Sequence, residues 1–146
     1  MANNLIIRGN VEILVESSEG EELQRFRAQN RIVDDGLNYF RDLAGGIVGR
    51  PDVQAIGIGT TAPAATDTAL ESSVLSKTID RRLDTDKTIT FQTIFLESEA
   101  NGYTISEVGL FGSSVLIARA LITPTVAKTS AIQLTISHEV TLSYEA

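Results

Sequence analysis

The chain has 146 residues, 42 % of them hydrophobic and 21 % charged, with a mean hydropathy of +0.07; this describes one globular domain and excludes a disordered chain. Nineteen acidic against 12 basic residues leave a net charge of −7, which repels a phosphate backbone, and with no basic stripe beyond Arg81-Arg82 nucleic acid is excluded as a partner. No cysteine is present, so disulfides, thiolate metal sites and cysteine nucleophiles are excluded together.

Met1-Ala2-Asn3-Asn4 lacks a basic region leading into an apolar run, and no segment reaches the ~20 apolar residues that cross a bilayer. The expectation is a soluble chain made in a cytoplasm, with no membrane partner. Leu5 to Val15 and Leu23 to Val33 read as a strand pair around the acidic turn Ser17-Ser18-Glu19-Gly20-Glu21. Residues 1–33 are therefore expected as an N-terminal strand pair or attachment arm on a domain spanning 1–146.

A helix comes next, with Asp34 or Asp35 as cap, Leu37, Phe40 and Leu43 or Ala44 on one face, and Gly45-Gly46 as its stop. Gly36 weakens it by about 1 kcal/mol relative to alanine. Gly57-Ile58-Gly59-Thr60-Thr61-Ala62 imitates the start of a phosphate loop, but it lacks the third glycine and the lysine, and Pro63 interrupts any helix after it. It reads as a strand ending in a tight turn. A second helical turn is expected around Thr68 to Ser73.

Ile89, Phe91 and Phe95 alternate, and Asn101-Gly102 suits a turn between strands at Thr88 to Leu96 and Tyr103 to Phe111. Gly112-Ser113-Ser114 turns into an apolar strand from Val115 to Ile122, which Pro124 ends. The last segment is the clearest: Ile132, Leu134, Ile136, His138, Val140, Leu142 and Tyr144 hold every second position, as in a strand with one buried face. The fold class expected is all-β and mainly antiparallel, a β-sandwich or jelly-roll-like body with one or two short helices.

Candidate chemistry is sparse. His138, the sole histidine, lies in an apolar row without a second ligand at metal-binding spacing, and reads as a core or interface residue. Asp84-Thr85-Asp86 offers two carboxylates where Ca²⁺ takes about six to eight oxygens, and reads as a solvated turn. Glu97 and Glu99, as a glycosidase pair two positions apart on a strand, lack an aromatic sugar platform. Ser113 and Ser114 lack a nucleophile elbow. No catalytic, cofactor-binding or metal residue is assigned, and no cofactor is expected. Glu107 and Arg119, on adjacent strands, are expected to pair and fix register, while Gly109 leaves backbone room beside Phe111.

Leu37-Asn38-Tyr39-Phe40-Arg41-Asp42-Leu43, Ala55 to Thr61, Ala69-Leu70-Glu71, Ile105 to Phe111 and Ala118-Arg119-Ala120, in that order, resemble a family of tailed-bacteriophage virion proteins. That family includes short particle proteins and the attachment regions of tail or tail-collar fibres. The resemblance covers roughly residues 30 to 146. It implies a structural protein of the virion rather than an enzyme, with the major capsid protein or tail proteins as partners. A capsid cement or decoration protein ranks first, a tail, baseplate or fibre-adaptor protein second, and a lectin-like host-surface module third. Long strand edges and the apolar run at Val115 to Ile122 add the expectation of a homo-oligomer, trimer or dimer.

Overall fold

In a computed structural model describing residues 5–144, the alternating segments become nine strands and one helix. They are β1 (Leu5–Ser17), β2 (Glu22–Ile32), α1 (Asp34–Ala44), β3 (Val53–Gly57), β4 (Ser73–Thr78), β5 (Arg81–Thr85), β6 (Thr88–Phe95), β7 (Thr104–Gly112), β8 (Val115–Ala127) and β9 (Ile132–Tyr144). All pairings are antiparallel, in one sheet of order β4-β3-β7-β8-β2-β1-β9-β6-β5. The sheet curls into a half-barrel.

Period-two patterning explains the curl. Val11, Ile13 and Val15 of β1, Leu134 and Ile136 of β9 and Phe95 of β6 share one core with Ile56 of β3, Ile105 and Val108 of β7, and Ala120 and Ile122 of β8. The two halves of the sheet thus bury each other's apolar rows, at roughly 25 cal/mol per Å² of apolar surface removed from water. β2 joins the halves: it pairs with β1 along most of its length and with β8 only at Arg31 and Ile32. No helix among the described residues is long and apolar enough to cross a membrane.

The all-β, antiparallel class is what forms, as one curled sheet, but the hairpin expected across Asn101-Gly102 does not. β6 and β7 do not pair across Asn101-Gly102; β6 lies between β5 and β9, and β7 between β3 and β8. The connecting loop carries the chain from one half to the other, because a buried Lys128 gathers it. The Lys128 Nζ donates to Asn101 Oδ1 at 3.0 Å and to the Thr129 carbonyl at 2.9 Å. Nor does Pro124 end β8, which runs on to Ala127. The β7–β8 register shifts between Ile105 and Glu107, opposite Val126 and Leu121, so the proline sits in a bulge, where its missing N–H costs no ladder bond.

The N-terminal pair is no appendage. β1 runs beside β9 over its whole length, from Leu5 opposite Tyr144 to Ser17 opposite Ile132, at the centre of the sheet. Thr68 to Ser73 is not helical; those residues bend into β4, and the N–H groups of Glu71 and Ser72 are held by the Glu107 carboxylate. α1 begins and ends where expected, but Asp34 and Asp35 lie in its first turn and Val33 is the N-cap, without a side-chain cap bond. Its buried face is Gly36 and Tyr39, while Leu37 is 48 % exposed. The Tyr39 hydroxyl donates to the Gly49 carbonyl.

Candidate functional site: a buried arginine–carboxylate knot

Arg119 projects from β8 and is 2 % exposed, beside a fully buried Glu107 from β7. Burying a guanidinium is costly unless each of its donors finds an acceptor. Here Nε donates to Glu107 Oε1 at 2.9 Å, one terminal nitrogen to Asp67 Oδ2 at 3.1 Å and the other to Glu71 Oε1 at 3.1 Å. Burial by itself lowers the Arg119 pKa, but hydrogen bonds and charge from Glu107 and Asp67 outweigh it and hold it above the ordinary arginine value.

The carboxylates pass the order outward into the segment between β3 and β4. Glu107 accepts the N–H groups of Glu71 and Ser72 at 3.1 and 2.9 Å. Glu71 accepts those of Thr60 at 3.2 Å and Thr61 at 2.6 Å, bonds that hold its carboxyl below the usual range ahead of any effect of Arg119. Asp67 accepts from the Ala64 N–H at 2.9 Å. The Gly59 N–H donates to Ser106 Oγ at 2.8 Å, and that hydroxyl donates back to the Gly59 carbonyl at 2.9 Å.

Gly59 lets this segment approach: a Cβ there would lie 2.8 Å from the Glu107 carboxyl carbon and 2.9 Å from an Arg119 nitrogen. Gly109 plays the expected packing part, since a Cβ would meet Leu70 at 2.8 Å and the Phe111 ring at 2.9 Å. Sequence reading found Glu107 with Arg119; it missed Asp67 and Glu71, which lie about 50 residues before Arg119 in the chain.

The second polar feature of the interior pairs His138 of β9 with Gln54 of β3, at 2.9 Å from Nδ1 to Oε1. The Gln54 amide nitrogen donates to the Phe91 carbonyl at 2.6 Å, so its oxygen faces the imidazole and Nδ1 carries the proton. Burial pushes the His138 pKa down to about 3, which makes the ring neutral at physiological pH. His138 is fully buried and its Nε2 has no hydrogen-bond partner among the described residues. Gln54 gave no signal in the sequence.

The other candidates remain apart. Asp84 lies in β5, and Asp86, in the turn after it, pairs with Lys87 at 3.3 Å. Glu97 and Glu99 come after the end of β6 in a loop rather than on a strand. Glu99 binds Lys77 at 2.7 Å and accepts the Leu96 N–H at 2.8 Å. Burial raises its carboxyl, but these bonds and the lysine charge bring it below the usual range. Ser113 and Ser114 are the central residues of the β7–β8 hairpin, with φ of 47° and 66°. Among the described residues no three histidine, aspartate or glutamate side chains are grouped to hold a metal ion.

No family model, curated protein or solved structure matches this chain. The knot's chemistry is that of a clamp. Its charges are engaged with one another and with backbone N–H groups.

Proposed function

We propose that this chain is a structural subunit of a tailed-bacteriophage particle, and in the first place a capsid cement or decoration protein bound across adjoining capsid subunits. One observation carries the reading. Four of the five motifs behind the resemblance, Ala55 to Thr61, Ala69 to Glu71, Ile105 to Phe111 and Ala118 to Ala120, meet at the Arg119 knot. Scattered strings that converge on one buried clamp behave as a fold signature, and the shared property is then a rigid scaffold rather than a reaction.

The internal polar groups fit that role, since Arg119, Glu107, Lys128 and His138 are all turned inward and tied to their own chain. Such a subunit stabilises a shell by burying surface at many equivalent positions, each small contribution multiplied by copy number. A tail or fibre-adaptor protein is the second reading. It is favoured by the outer ends of β1 and β9, where paired Leu5 and Tyr144 are 64 % and 67 % exposed and leave an apolar pole for end-on attachment.

Quantitative mass spectrometry of purified particles, with heads and tails separated, tests the assignment. The cement reading expects the chain in many copies in the head fraction, with heads lacking it rupturing at lower temperature. Recovery only with tails supports the adaptor reading instead, and absence from both fractions contradicts the proposal altogether.

A further inference from the structure

The β1–β2 ladder reaches back from Glu16 only as far as Gly9, which lies opposite Asn30. Beyond it β2 turns to β8, setting Arg31 against Arg119 and Ile32 against Ala118, while β1 continues beside β9 to Leu5. The two strands part as a fork, and between them lies a cavity of about 510 Å³ lined by Ile7, Arg8, Asn30, Ile32, Leu37 and Pro63 among others.

Main-chain polar groups line this fork. Successive residues of an antiparallel strand turn their N–H and C=O to opposite neighbours. Ser17 donates its N–H to Glu21 on the β2 side, so the odd-numbered residues of β1 face that side. Leu5 and Ile7 accordingly present theirs to the space β2 has left. Val33 donates its N–H to Ile117 of β8, so Ile32 turns its own groups away from β8 and into the fork. None of the three has a ladder partner on that side among the described residues.

Asn30 marks the base of the fork. It is 7 % exposed, and neither Oδ1 nor Nδ2 has a hydrogen-bond partner among the described residues. Its amide lies directly over Gly9, where any Cβ would collide with it. A buried amide left unbonded costs ~1–3 kcal/mol, so the site is better satisfied when a peptide group arrives. At the rim stand Arg8 and Arg31, both exposed and in no ion pair among the described residues, in a chain of net charge −7.

We propose that the fork receives an extended segment of another protein, inserted between β1 and β2 and hydrogen-bonded to Leu5, Ile7 and Ile32. Its apolar side chain packs against Ile7 and Leu37, and acidic side chains meet Arg8 and Arg31. This is strand addition within a split in the sheet, and as at a sheet edge main-chain bonds supply affinity and alternate side chains supply selectivity. Size selects the occupant. A strand residue fills ~3.3 Å by ~4.8 Å by ~10 Å, or about 160 Å³, so the cavity holds about three residues of a single strand. Strand capture here is independent of a place in a phage particle, because any protein with such an arm would serve.

The probe is an array of seven-residue peptides containing Val, Thr, Glu and Lys in every order, exposed to the whole chain. Retained peptides are expected to alternate Val with Glu and to slow amide exchange at Ile7 and Ile32. The double variant Arg8→Glu, Arg31→Glu should weaken retention at least tenfold. Ile7→Pro removes only the N–H that faces the fork and should do the same, with the β1–β9 ladder intact by circular dichroism and exchange. Retention of no peptide above an all-Thr control, preference for Lys over Glu, or equal binding by the variants overturns the proposal. So does a concentration-dependent dimer that protects Ile7, since a second copy then fills the fork.

Discussion

Arg119 holds its place through three carboxylates, one on β7 and two in the segment between β3 and β4, and removing it leaves Glu107 buried without a counter-charge. Breaking a buried ion pair from one side costs about 3–5 kcal/mol, so Arg119→Ala should lower the urea midpoint by that equivalent, with exchange in residues 58–72 accelerating first. Glu107→Gln, which keeps an acceptor and leaves Asp67 and Glu71 in place, should cost less, ~1–3 kcal/mol. Equal losses in the two variants would argue against the network. His138 sets a pH dependence of known sign. Its pKa falls from the ordinary 6.5 to about 3 on folding, so the unfolded chain binds the proton more tightly. Its contribution is complete above pH 6.5 and is lost as pH falls toward 3. Between pH 6.5 and 4.5 the loss is roughly 2 kcal/mol, because the unfolded histidine is already half protonated at the upper end and each full pH unit below it is worth ~1.4 kcal/mol. Unfolding titrations should show that slope in the native chain and a flatter one in His138→Gln, which still donates to Gln54.

Elements in this fold are decided by what crosses them. α1 carries a glycine, Gly36, as its third residue, and propensity alone says that alanine would be better there by about 1 kcal/mol. Packing reverses the sign, because a Cβ at Gly36 would run into the Ile117 carbonyl of β8. Gly36→Ala should therefore destabilise by ~1–3 kcal/mol, the usual cost of overpacking, read as a lower melting temperature; a rise would show that α1 can lift away. β1 and β2 carry the largest element-scale consequence. They lie between β8 and β9 in the middle of the sheet, so deleting residues 1–33 should yield an unfolded chain by near-ultraviolet circular dichroism. A cooperative thermal transition in that deletion would contradict the central placement.

The range over which each signal acts decides how much of this was legible in the sequence. β1, β2, β8 and β9 were legible because alternation is local, and α1 because acidic residues and Gly45-Gly46 bracket it. β4 and β5 were not, since Ser73 to Thr78 and Arg81 to Thr85 are largely exposed and polar on the sheet's two edges, where no apolar row is required. The β6–β7 hairpin was misread because Asn101-Gly102 has turn chemistry, Gly102 taking φ of 89°, yet turn chemistry does not say which strands pair. Of the knot, only Glu107 with Arg119 could be inferred, being 12 residues apart across a short hairpin; Asp67, Glu71 and Gln54 arrive through tertiary folding.

At the scale of the whole molecule, a half-barrel held by mutual burial and a charge clamp suits the proposed role of a structural subunit, in which the shape is kept while other surfaces bind. Electron cryo-microscopy of intact particles tests that account most directly. It predicts density for this nine-stranded fold repeated on the shell, with the Arg119 knot resolved inside each copy and contacts spanning neighbouring capsid subunits. Particles whose density contains no such fold, in head or tail, would contradict it.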